Sequence, residues 1–499
     1  MKKTLAIILL LVLCCAVGVA CCACDLDDDV ITVTIYSTMG KTLKETFDSY
    51  LKQFEAMYPG IKVDHQVPLN DYTELRGRVL TELETNDGPA ITYCYPDHVA
   101  MYMEIGASKR NCVVPLDQYV DSTAKVAVGE FGNTEEHLIG FTAEEKADFI
   151  EAYYNEGKES YGDGSVMYSL PYAKSTEVLF YNKDFFTANN IELPTHWFAT
   201  TPNVDDDKTS MEYVCKRIKG IDKNCIPLGY DADDNFFITM CEQYMTLEEN
   251  SGTNLYTSSV GDKYLFNNAV NKGWMEKFNK MYRDGYLITR QTNSTVYTSK
   301  MFVARDSDKD PSDPNYVQSK CTYMCIGSTG GATNQVSKKF ETGVTTIPQM
   351  NPEDPKVISQ GPSICILKNK NNKSEKQQLA AWLVAKYMTS NTTLQAAFSM
   401  DSGYAPSRHS VYTDPVYKEE FLDLADGKEY IAATAALQCY QQISYSFTSP
   451  SFVGSATARD EVKTLFGKCL RFTAGTQTIA DQITEAFNTA LATCQFKNP

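Results

Sequence analysis

Three segments near the start of the chain alternate between the periodicity of a strand and that of a helix. Apolar residues recur at every second position in 30–36 and again in 61–67, as in strands that bury one face. Between them, residues 41–58 space apolar side chains three and four apart, which is typical of an amphipathic helix. This order predicts a βαβ unit with a parallel strand pair. Further helix and strand patterns in 72–84 and 90–95 extend it into a doubly wound α/β lobe.

Length and composition predict a second lobe. The chain has 499 residues, 43% of them hydrophobic, which is enough to fill two separate cores. It carries 46 Lys and Arg against 63 Asp and Glu, a net charge of −17. Nucleic-acid binding requires a basic surface, so this charge argues against a nucleic-acid partner.

Residues 1–24 have the features of an export signal. Two lysines precede a long uncharged apolar run, and small residues lead up to Cys21 and Cys22. This ending resembles the lipid-attachment motif of bacterial lipoproteins, and Cys21 or Cys22 is the predicted lipidated residue. The alternative is an uncleaved membrane anchor, because the run approaches the length that spans a bilayer. Either arrangement predicts an exported protein held at the extracellular face of the cell membrane.

The cysteines beyond the signal region show no metal-binding spacing. No CxxC pair occurs among them, which argues against zinc. Disulfides form in exported proteins, and the local candidates for pairing are Cys215 with Cys225 and Cys321 with Cys325. Others lie in apolar strings, such as Cys365, and are predicted to pack as small hydrophobic residues.

Recognisable catalytic motifs do not occur in the sequence. The five histidines form neither H-E-x-x-H nor H-x-H, and there is no G-x-S-x-G and no phosphate-binding glycine loop. The aspartate-rich stretch 306–315 lacks the central glycine and the final glutamate of a calcium loop. We therefore expect a protein that is not an enzyme and uses no metal or cofactor. A secreted glycan-degrading enzyme stays open as an alternative, because its carboxylate pair leaves no local trace, and so does a surface adhesin.

A set of short motifs resembles one known family. Asp163-Gly164 is followed by Leu-Pro, a polar stretch, Tyr-Asn-Lys-Asp at 181–184 and a Pro-x-x-Trp that ends at Trp197. Five more pieces follow the family's order: FEAMYPGIKV, NDGPAITYCYPDHV, CTYMCIGSTGGATN, VTTIPQM and SGYAPSR. Together they cover nearly the whole chain after the signal. They resemble the family 1 extracellular solute-binding proteins of bacterial ABC importers, and within that family the glycerol-3-phosphate-binding type.

The resemblance implies two doubly wound α/β lobes with a ligand cleft between them, the type II periplasmic-binding fold. Residues 30–170 and 360–408 would form lobe I, and residues 171–359 and 409–499 would form lobe II. The polar stretch 172–177 would then belong to a strand that crosses between the lobes and exposes hydroxyl and carboxyl groups to the cleft. An edge strand with a solvated polar face is the alternative.

The resemblance also implies a set of ligand contacts. In the cleft, aromatic side chains would pack against the C–H faces of a sugar, and polar groups would form hydrogen bonds with its hydroxyls. Asp97 lies one residue beyond the family's glutamate, and its alternative role is to cap a helix. Trp197 has an alternative role as a packing residue at a helix start. The predicted ligand-binding residues are Tyr72, Asp97, Tyr172, Ser175, Trp197, Ser328, Gly361 and Tyr404.

One departure from the family concerns the ligand. The glycerol-3-phosphate-binding type holds phosphate with an arginine, but the aligned segment SYSFTSPSF contains none, and Arg459 lies further along the chain. This predicts a neutral sugar or oligosaccharide, with glycerol-3-phosphate or its diesters as the alternative. The expected partners are this solute and an ABC permease in the membrane, and the protein is expected to be a monomer.

Overall fold

The structure is a computed structural model that describes residues 30–158, 166–303, 320–425 and 430–498. The predicted signal with Cys21 and Cys22, the Asp163-Gly164 pair and the stretch 306–315 lie outside these ranges. Within them, none of the helices combines the length and the apolar character that crossing a membrane requires.

The strands are short, and several consist of only two residues. In chain order, the described residues form β1 (Ile31–Tyr36), β2 (Ile61–Gln66), β3 (Ile91–Cys94), β4 (Lys125–Val126), β5 (His137–Leu138), β6 (Leu170–Pro171), β7 (Ala173–Lys174), β8 (Glu177–Asn182), β9 (Leu228–Tyr230), β10 (Leu287–Thr289), β11 (Met324–Ser328), β12 (Thr342–Thr345), β13 (Val357–Ile358), β14 (Ser363–Ile366), β15 (Ala405–Pro406) and β16 (Ser446–Phe447).

The helices range from single turns to long rods. The described residues form α1 (Lys41–Met57), α2 (Tyr72–Glu84), α3 (Pro96–Tyr102), α4 (Asp117–Val120), α5 (Ala143–Ala147), α6 (Glu151–Asn155), α7 (Lys183–Ala188), α8 (Met211–Ile221), α9 (Asp233–Met245), α10 (Ala269–Arg283), α11 (Ser299–Val303), α12 (Glu375–Ser390), α13 (Thr392–Met400), α14 (His409–Thr413), α15 (Pro415–Glu420), α16 (Ile431–Gln441), α17 (Ser455–Leu470) and α18 (Ile479–Lys497).

The first sheet contains the predicted βαβ unit. Its strand order is β2-β1-β3-β14-β6, with β1 parallel to both β2 and β3 and with β14 antiparallel to its two neighbours. Helix α1 covers this sheet with Phe47, Leu51 and Phe54, which recur on one face and are all buried. They join Ile35 and Trp382 in one hydrophobic core. The periodicity of 30–67 therefore predicted the architecture of this lobe correctly.

The second sheet has the same arrangement as the first. Its order is β10-β9-β11-β8-β12, with β9 parallel to β10 and β11 and with β8 antiparallel to its two neighbours. Its core contains aromatic residues from α9, α10, α17 and α18, including Phe236, Trp274, Phe466 and Phe487. The molecule is thus built from two doubly wound α/β lobes, which is the predicted fold class.

The stretch 170–182 passes from one sheet to the other. It begins as β6 at an edge of the first sheet and ends as β8 inside the second. Between them, the Ser175 amide donates to the Gln360 carbonyl at 2.9 Å and the Gln360 amide donates back at 2.8 Å. Strand β7 also pairs with β15, with Lys174 opposite Ala405. The stretch is therefore a crossing strand, as predicted, and not an edge strand.

The predicted lobe boundaries remain a prediction. Residues 31–171 and 363–366 supply the strands of the first sheet, and residues 177–345 supply those of the second. Helices α14, α15 and α16 form a further apolar cluster with Ile150 and Tyr153.

Most cysteines in the described part of the chain are buried free thiols. Cys215, Cys225 and Cys325 are buried free thiols, so the two local disulfide candidates are not formed. Cys365 is buried within β14, as predicted for a cysteine that serves as a small hydrophobic residue.

Candidate ligand-binding cleft

A cavity of about 1190 Å³ lies between the two sheets. One wall consists of residues that follow β1 and β3, and the facing wall consists of residues that follow β9 and β11. Ligands of open α/β sheets bind beyond the carboxyl ends of the strands, where the connecting loops separate. The crossing residues Ser175, Glu177 and Gln360 line the cavity between the two walls, and we call these three residues its floor.

Five of the eight predicted residues line this cavity: Tyr72, Asp97, Ser175, Ser328 and Tyr404. They come from α2, α3, the crossing strand, the end of β11 and the segment before β15. The Ser328 hydroxyl donates to the Ser175 hydroxyl at 3.1 Å. The fold therefore brings together residues that lie far apart in sequence, and their binding role stays a prediction.

Trp197 does not face the cavity. Its side chain is fully buried in the core of the second lobe, stacked on Phe236 with ring centroids 5.2 Å apart. Its indole Nε1 donates to Gln243 Oε1 at 3.0 Å. The expectation that Trp197 contacts ligand is thus contradicted by its position, and its alternative role as a packing residue fits.

Tyr172 and Gly361 also lie behind the cavity surface. Tyr172 is buried in the first core, with its ring 5.7 Å from Phe47 and 5.2 Å from Phe398. Gly361 has a φ of +86°, and an added Cβ would stand 2.3 Å from the Ala173 carbonyl oxygen. The family motif around these two residues therefore maintains the crossing strands, and neither residue lines the cleft.

A cluster of tyrosines covers the wall of the first lobe. The rings of Tyr72 and Tyr95 are 4.9 Å apart, and the hydroxyls of Tyr72 and Tyr404 are 3.3 Å apart. Burial raises the pKa of all three phenols, so their hydroxyls stay protonated at physiological pH. Such a wall offers flat apolar surface together with hydrogen-bonding hydroxyls. Tyr95 was missed from the sequence, although it directly follows β3.

Asp97 binds an arginine from the opposite lobe. It is the second residue of α3, which has no side-chain cap, so the capping alternative is wrong. Its Oδ2 accepts from Arg459 Nε at 2.9 Å. Burial alone would raise the pKa of Asp97, but Arg459, His98 and Arg76 together outweigh burial and hold the pKa below its usual range. Asp97 therefore remains an anion at neutral pH.

Two arginines line the cavity, although the segment aligned with the family's arginine contains none. Arg459 on α17 also donates to Asn235 Oδ1 at 2.7 Å and lies 3.5 Å from Asp234 Oδ2. Arg290 donates to Asp71 Oδ2 at 3.3 Å. Both guanidinium groups thus have carboxylate partners within the protein.

Acidic and basic groups also lie side by side next to the floor. Lys174 Nζ donates to Glu156 Oε2 at 2.6 Å and to the Gly361 carbonyl at 3.2 Å, and this ion pair is buried. Glu177 accepts a hydrogen bond from the Tyr230 hydroxyl. Burial, together with the nearby Asp234 carboxylate, raises the pKa of Glu177 to about 8. In the described part of the chain, no group of three or more His, Cys, Asp or Glu side chains is placed to hold a metal ion.

The comparison of sequences identifies the family. Residues 49–422 match the profile of the bacterial extracellular solute-binding proteins. The match covers most of the chain, which therefore belongs to this family of binding proteins rather than to a family of enzymes. A search of curated proteins gave no match.

Solved structures show the same fold at low sequence identity. The GacH receptor of Streptomyces glaucescens, solved unliganded and with acarbose and an acarbose homolog, aligns with a TM-score of 0.62 at 16% identity, over 93% of this chain and 99% of that one. Maltose-bound MalE3 of T. maritima aligns with a TM-score of 0.65 at 14% identity, over 94% and 100%.

A third similar structure has a different type of ligand. UgpB from Mycobacterium tuberculosis, in complex with glycerophosphocholine, aligns with a TM-score of 0.66 at 15% identity, over 93% of this chain and 98% of that one. At these identities the structures establish the two-lobed fold.

Proposed function

We propose that the protein is a lipid-anchored receptor of an ABC importer, which binds an oligosaccharide between its lobes and delivers it to the permease. The observation that carries this proposal is the cavity itself. Its volume of about 1190 Å³ exceeds the roughly 300–1,000 Å³ of common small-molecule sites, so it suits a ligand of several sugar rings.

The chemistry of the cavity walls supports a sugar. Tyr72, Tyr95 and Tyr404 provide ring surface for C–H faces, while Ser175 at the floor and Ser328 beside it provide hydroxyls. The structures of the GacH receptor with acarbose and of maltose-bound MalE3 are consistent with such a ligand.

A phosphodiester is the alternative ligand, and one observation favours it. Arg459 and Arg290 line the cavity, and the similar UgpB structure contains glycerophosphocholine. A phosphate would have to compete with Asp97 and Asp71 for these two guanidinium groups. Because both partners are already in place, the neutral oligosaccharide remains the preferred ligand.

A thermal-shift panel tests the proposed function. Millimolar mono- and oligosaccharides are compared with glycerol-3-phosphate and its diesters. A ligand of micromolar affinity at thousandfold excess should stabilise the protein by about 4 kcal/mol. Tyr404→Ala should reduce the shift, whereas Tyr430→Ala, at an exposed tyrosine outside the cavity, should retain it in full. A shift with phosphate esters alone supports the alternative, and no shift with any compound contradicts the receptor role.

Lipid anchoring needs its own experiment. Metabolic labelling with a fatty acid should mark the wild-type protein, and either Cys21→Ala or Cys22→Ala should abolish the label. Retention of an unlabelled protein in the membrane fraction would instead indicate the uncleaved anchor.

A further inference from the structure

Aromatic residues line both walls of the cavity. The first-lobe wall carries the cluster of Tyr72, Tyr95 and Tyr404. Among the described residues of the facing wall, Tyr297 is the one tyrosine that lines the cavity, and it follows β10 of the second sheet. Tyr297 is 40% exposed, unlike the aromatic residues of the two cores. A ligand that fills the cavity can therefore contact aromatic surface of both lobes.

Arg290 connects Tyr297 to the first lobe. Its guanidinium carbon lies 4.0 Å from the centroid of the Tyr297 ring, which is a cation–π contact. Its Nη1 lies 3.3 Å from Oδ2 of Asp71, and Asp71 caps the start of α2, where Tyr72 is the first residue. The guanidinium group therefore covers one face of the Tyr297 ring and holds it near the helix that begins at Tyr72. The aromatic surfaces of the two walls thus lie at the same end of the cavity.

The loop that carries Tyr297 has a strained backbone. Ser294 and Thr295 have φ values of +52° and +63°, in the left-handed region that a β-branched residue such as threonine rarely adopts. The Thr295 amide donates to the Arg290 carbonyl at 2.9 Å, and Arg290 Nε donates to the Thr295 carbonyl at 3.2 Å. Strain of this kind persists only where the surrounding contacts enforce it, and it is common at ligand-binding sites. The loop therefore holds Tyr297 in one defined position at the cavity wall.

Two aromatic walls restrict the kind of sugar ring that can lie between them. A β-linked glucose ring carries its hydroxyl groups in equatorial positions, so both of its faces present axial C–H groups. Each of these faces can pack against a tyrosine ring. An axial hydroxyl, as at C2 of mannose, places a polar group on one face. An aromatic wall would strip that hydroxyl of water without offering an equivalent hydrogen bond.

We propose that the cleft binds a β-1,4-linked oligosaccharide of the gluco configuration, with one sugar ring packed between Tyr297 and the tyrosine cluster of the first lobe. This inference rests on the proposed function and names its ligand class. Tyr297 is then the ligand contact that selects the configuration of the ring, and Arg290 is a positioning residue that holds Tyr297 in place.

Isothermal titration calorimetry tests the inference with the β-1,4-linked tetramers of glucose and of mannose. These two ligands differ only in the hydroxyl at C2 of each ring, which is equatorial in glucose and axial in mannose. Wild-type protein should bind the glucose tetramer about tenfold more tightly, the ratio expected when one aromatic face loses its packing partner.

Tyr297→Ala should bind the glucose tetramer about tenfold more weakly and should lose most of the preference. With one aromatic wall left, a mannose ring can direct its axial hydroxyl away from that wall. Tyr297→Phe keeps the ring and should restore most of what Tyr297→Ala loses. Val296→Ala is the matched control, because Val296 is the exposed neighbour of Tyr297 and lies outside the cavity, and it should behave as wild type.

Arg290→Met tests the positioning role. It removes the cation that contacts both the Tyr297 ring and Asp71. The ratio of the two affinities should therefore narrow, because the Tyr297 ring is no longer held in place. A purely structural role of Arg290 would weaken the binding of both tetramers equally and leave the ratio unchanged.

Equal or tighter binding of the mannose tetramer by wild type overturns the inference and leaves the receptor function intact. A full preference that persists in Tyr297→Ala overturns it in the same way, and an unchanged ratio in Arg290→Met overturns the positioning role. If wild type binds neither tetramer, the inference also fails. The wider thermal-shift panel then decides separately whether the proposed function fails with it.

Discussion

Arg459 Nε donates a hydrogen bond to Asp97 Oδ2 at 2.9 Å, and the two residues belong to helices on opposite walls of the cleft. A second ion pair, between Arg76 of α2 and Asp460 of α17, lies beside it with Nη2 2.6 Å from Oδ2. Charged groups thus join the two lobes directly, in addition to the crossing strands. Any separation of the two walls would break these contacts, so they favour the arrangement in which the lobes lie close together.

Replacing Arg459 with alanine should open the cleft. The Asp97 side chain is only 6% exposed, and a buried carboxylate that loses its partner costs on the order of 3 kcal/mol. Opening relieves this cost because it returns Asp97 to water. Small-angle X-ray scattering without ligand should therefore give a larger radius of gyration for Arg459→Ala than for wild type.

The control for this measurement is an ion pair within one lobe. Lys216 and Asp205 are 2.8 Å apart and about half exposed, and exposed pairs contribute little. Lys216→Ala should leave the radius of gyration unchanged. An unchanged radius for Arg459→Ala as well would show that the crossing strands alone determine the lobe geometry.

The sequence predicted those parts of the fold that depend on local patterns. Apolar residues alternate in 31–36, and the structure has a strand there. In the next segment, apolar residues recur three and four apart at Phe47, Leu51 and Phe54, and the structure has a helix that buries all three. The polar interruption of the crossing stretch likewise indicated residues that line the cavity, namely Lys174, Ser175 and Glu177. Five of the residues predicted from the family resemblance line the cavity, because the segments that carry them lie where strands end or cross between the sheets.

The features of the site that the sequence did not predict depend on tertiary packing. Arg459 reaches the cavity because α17 packs against α9 and α10, which no local pattern around residue 459 reveals. Trp197 keeps the family's Pro-x-x-Trp spacing, yet Gln243 and Phe236 offer its indole a buried hydrogen bond and a stacking partner. The position of this tryptophan therefore depends on residues far away in sequence, which the motif alone does not reveal.

His98 should make the protein less stable in mild acid. It lies beside Asp97 on α3, and burial lowers its pKa to about 3, from 6.5 in an unfolded chain. Between these values the unfolded chain binds more protons than the folded one, so the free energy of unfolding falls as pH falls through 6.5. From pH 7 to pH 5 the contribution of His98 to this loss is roughly 2 kcal/mol.

Urea titrations at the two pH values measure this effect. His98→Asn should lose less stability between pH 7 and pH 5 than wild type does. His409→Asn is the control, since His409 is exposed at the start of α14 and should reproduce the wild-type profile. Identical profiles for all three proteins would contradict a buried neutral His98.

Replacing Trp197 should lower the stability of the fold, whereas replacing Tyr404 should weaken ligand binding. Trp197→Ala removes a fully buried core side chain and should lower the free energy of unfolding by about 3–5 kcal/mol. Ligand affinity measured well below the melting temperature should change little. Tyr404→Ala removes cavity surface and should weaken binding by about tenfold or more. Calorimetry measures the ligand affinity and thermal melting measures the stability of the same samples. A large loss of affinity in Trp197→Ala would instead support Trp197 as a ligand contact.

Gly330 should be essential for the shape of the cleft where the loop after β11 meets Tyr404. A Cβ added at Gly330 would lie 2.4 Å from the Tyr404 ring, whereas one added at the next residue, Gly331, would find its nearest neighbour at 3.8 Å. Gly330→Ala must therefore displace either the loop or the ring, and the tyrosine wall loses its position. We expect ligand affinity to fall by about tenfold or more in Gly330→Ala, with Gly331→Ala close to wild type. Because both changes add one methyl group to the same loop, equal affinities would show that the Tyr404 ring can move without cost to binding.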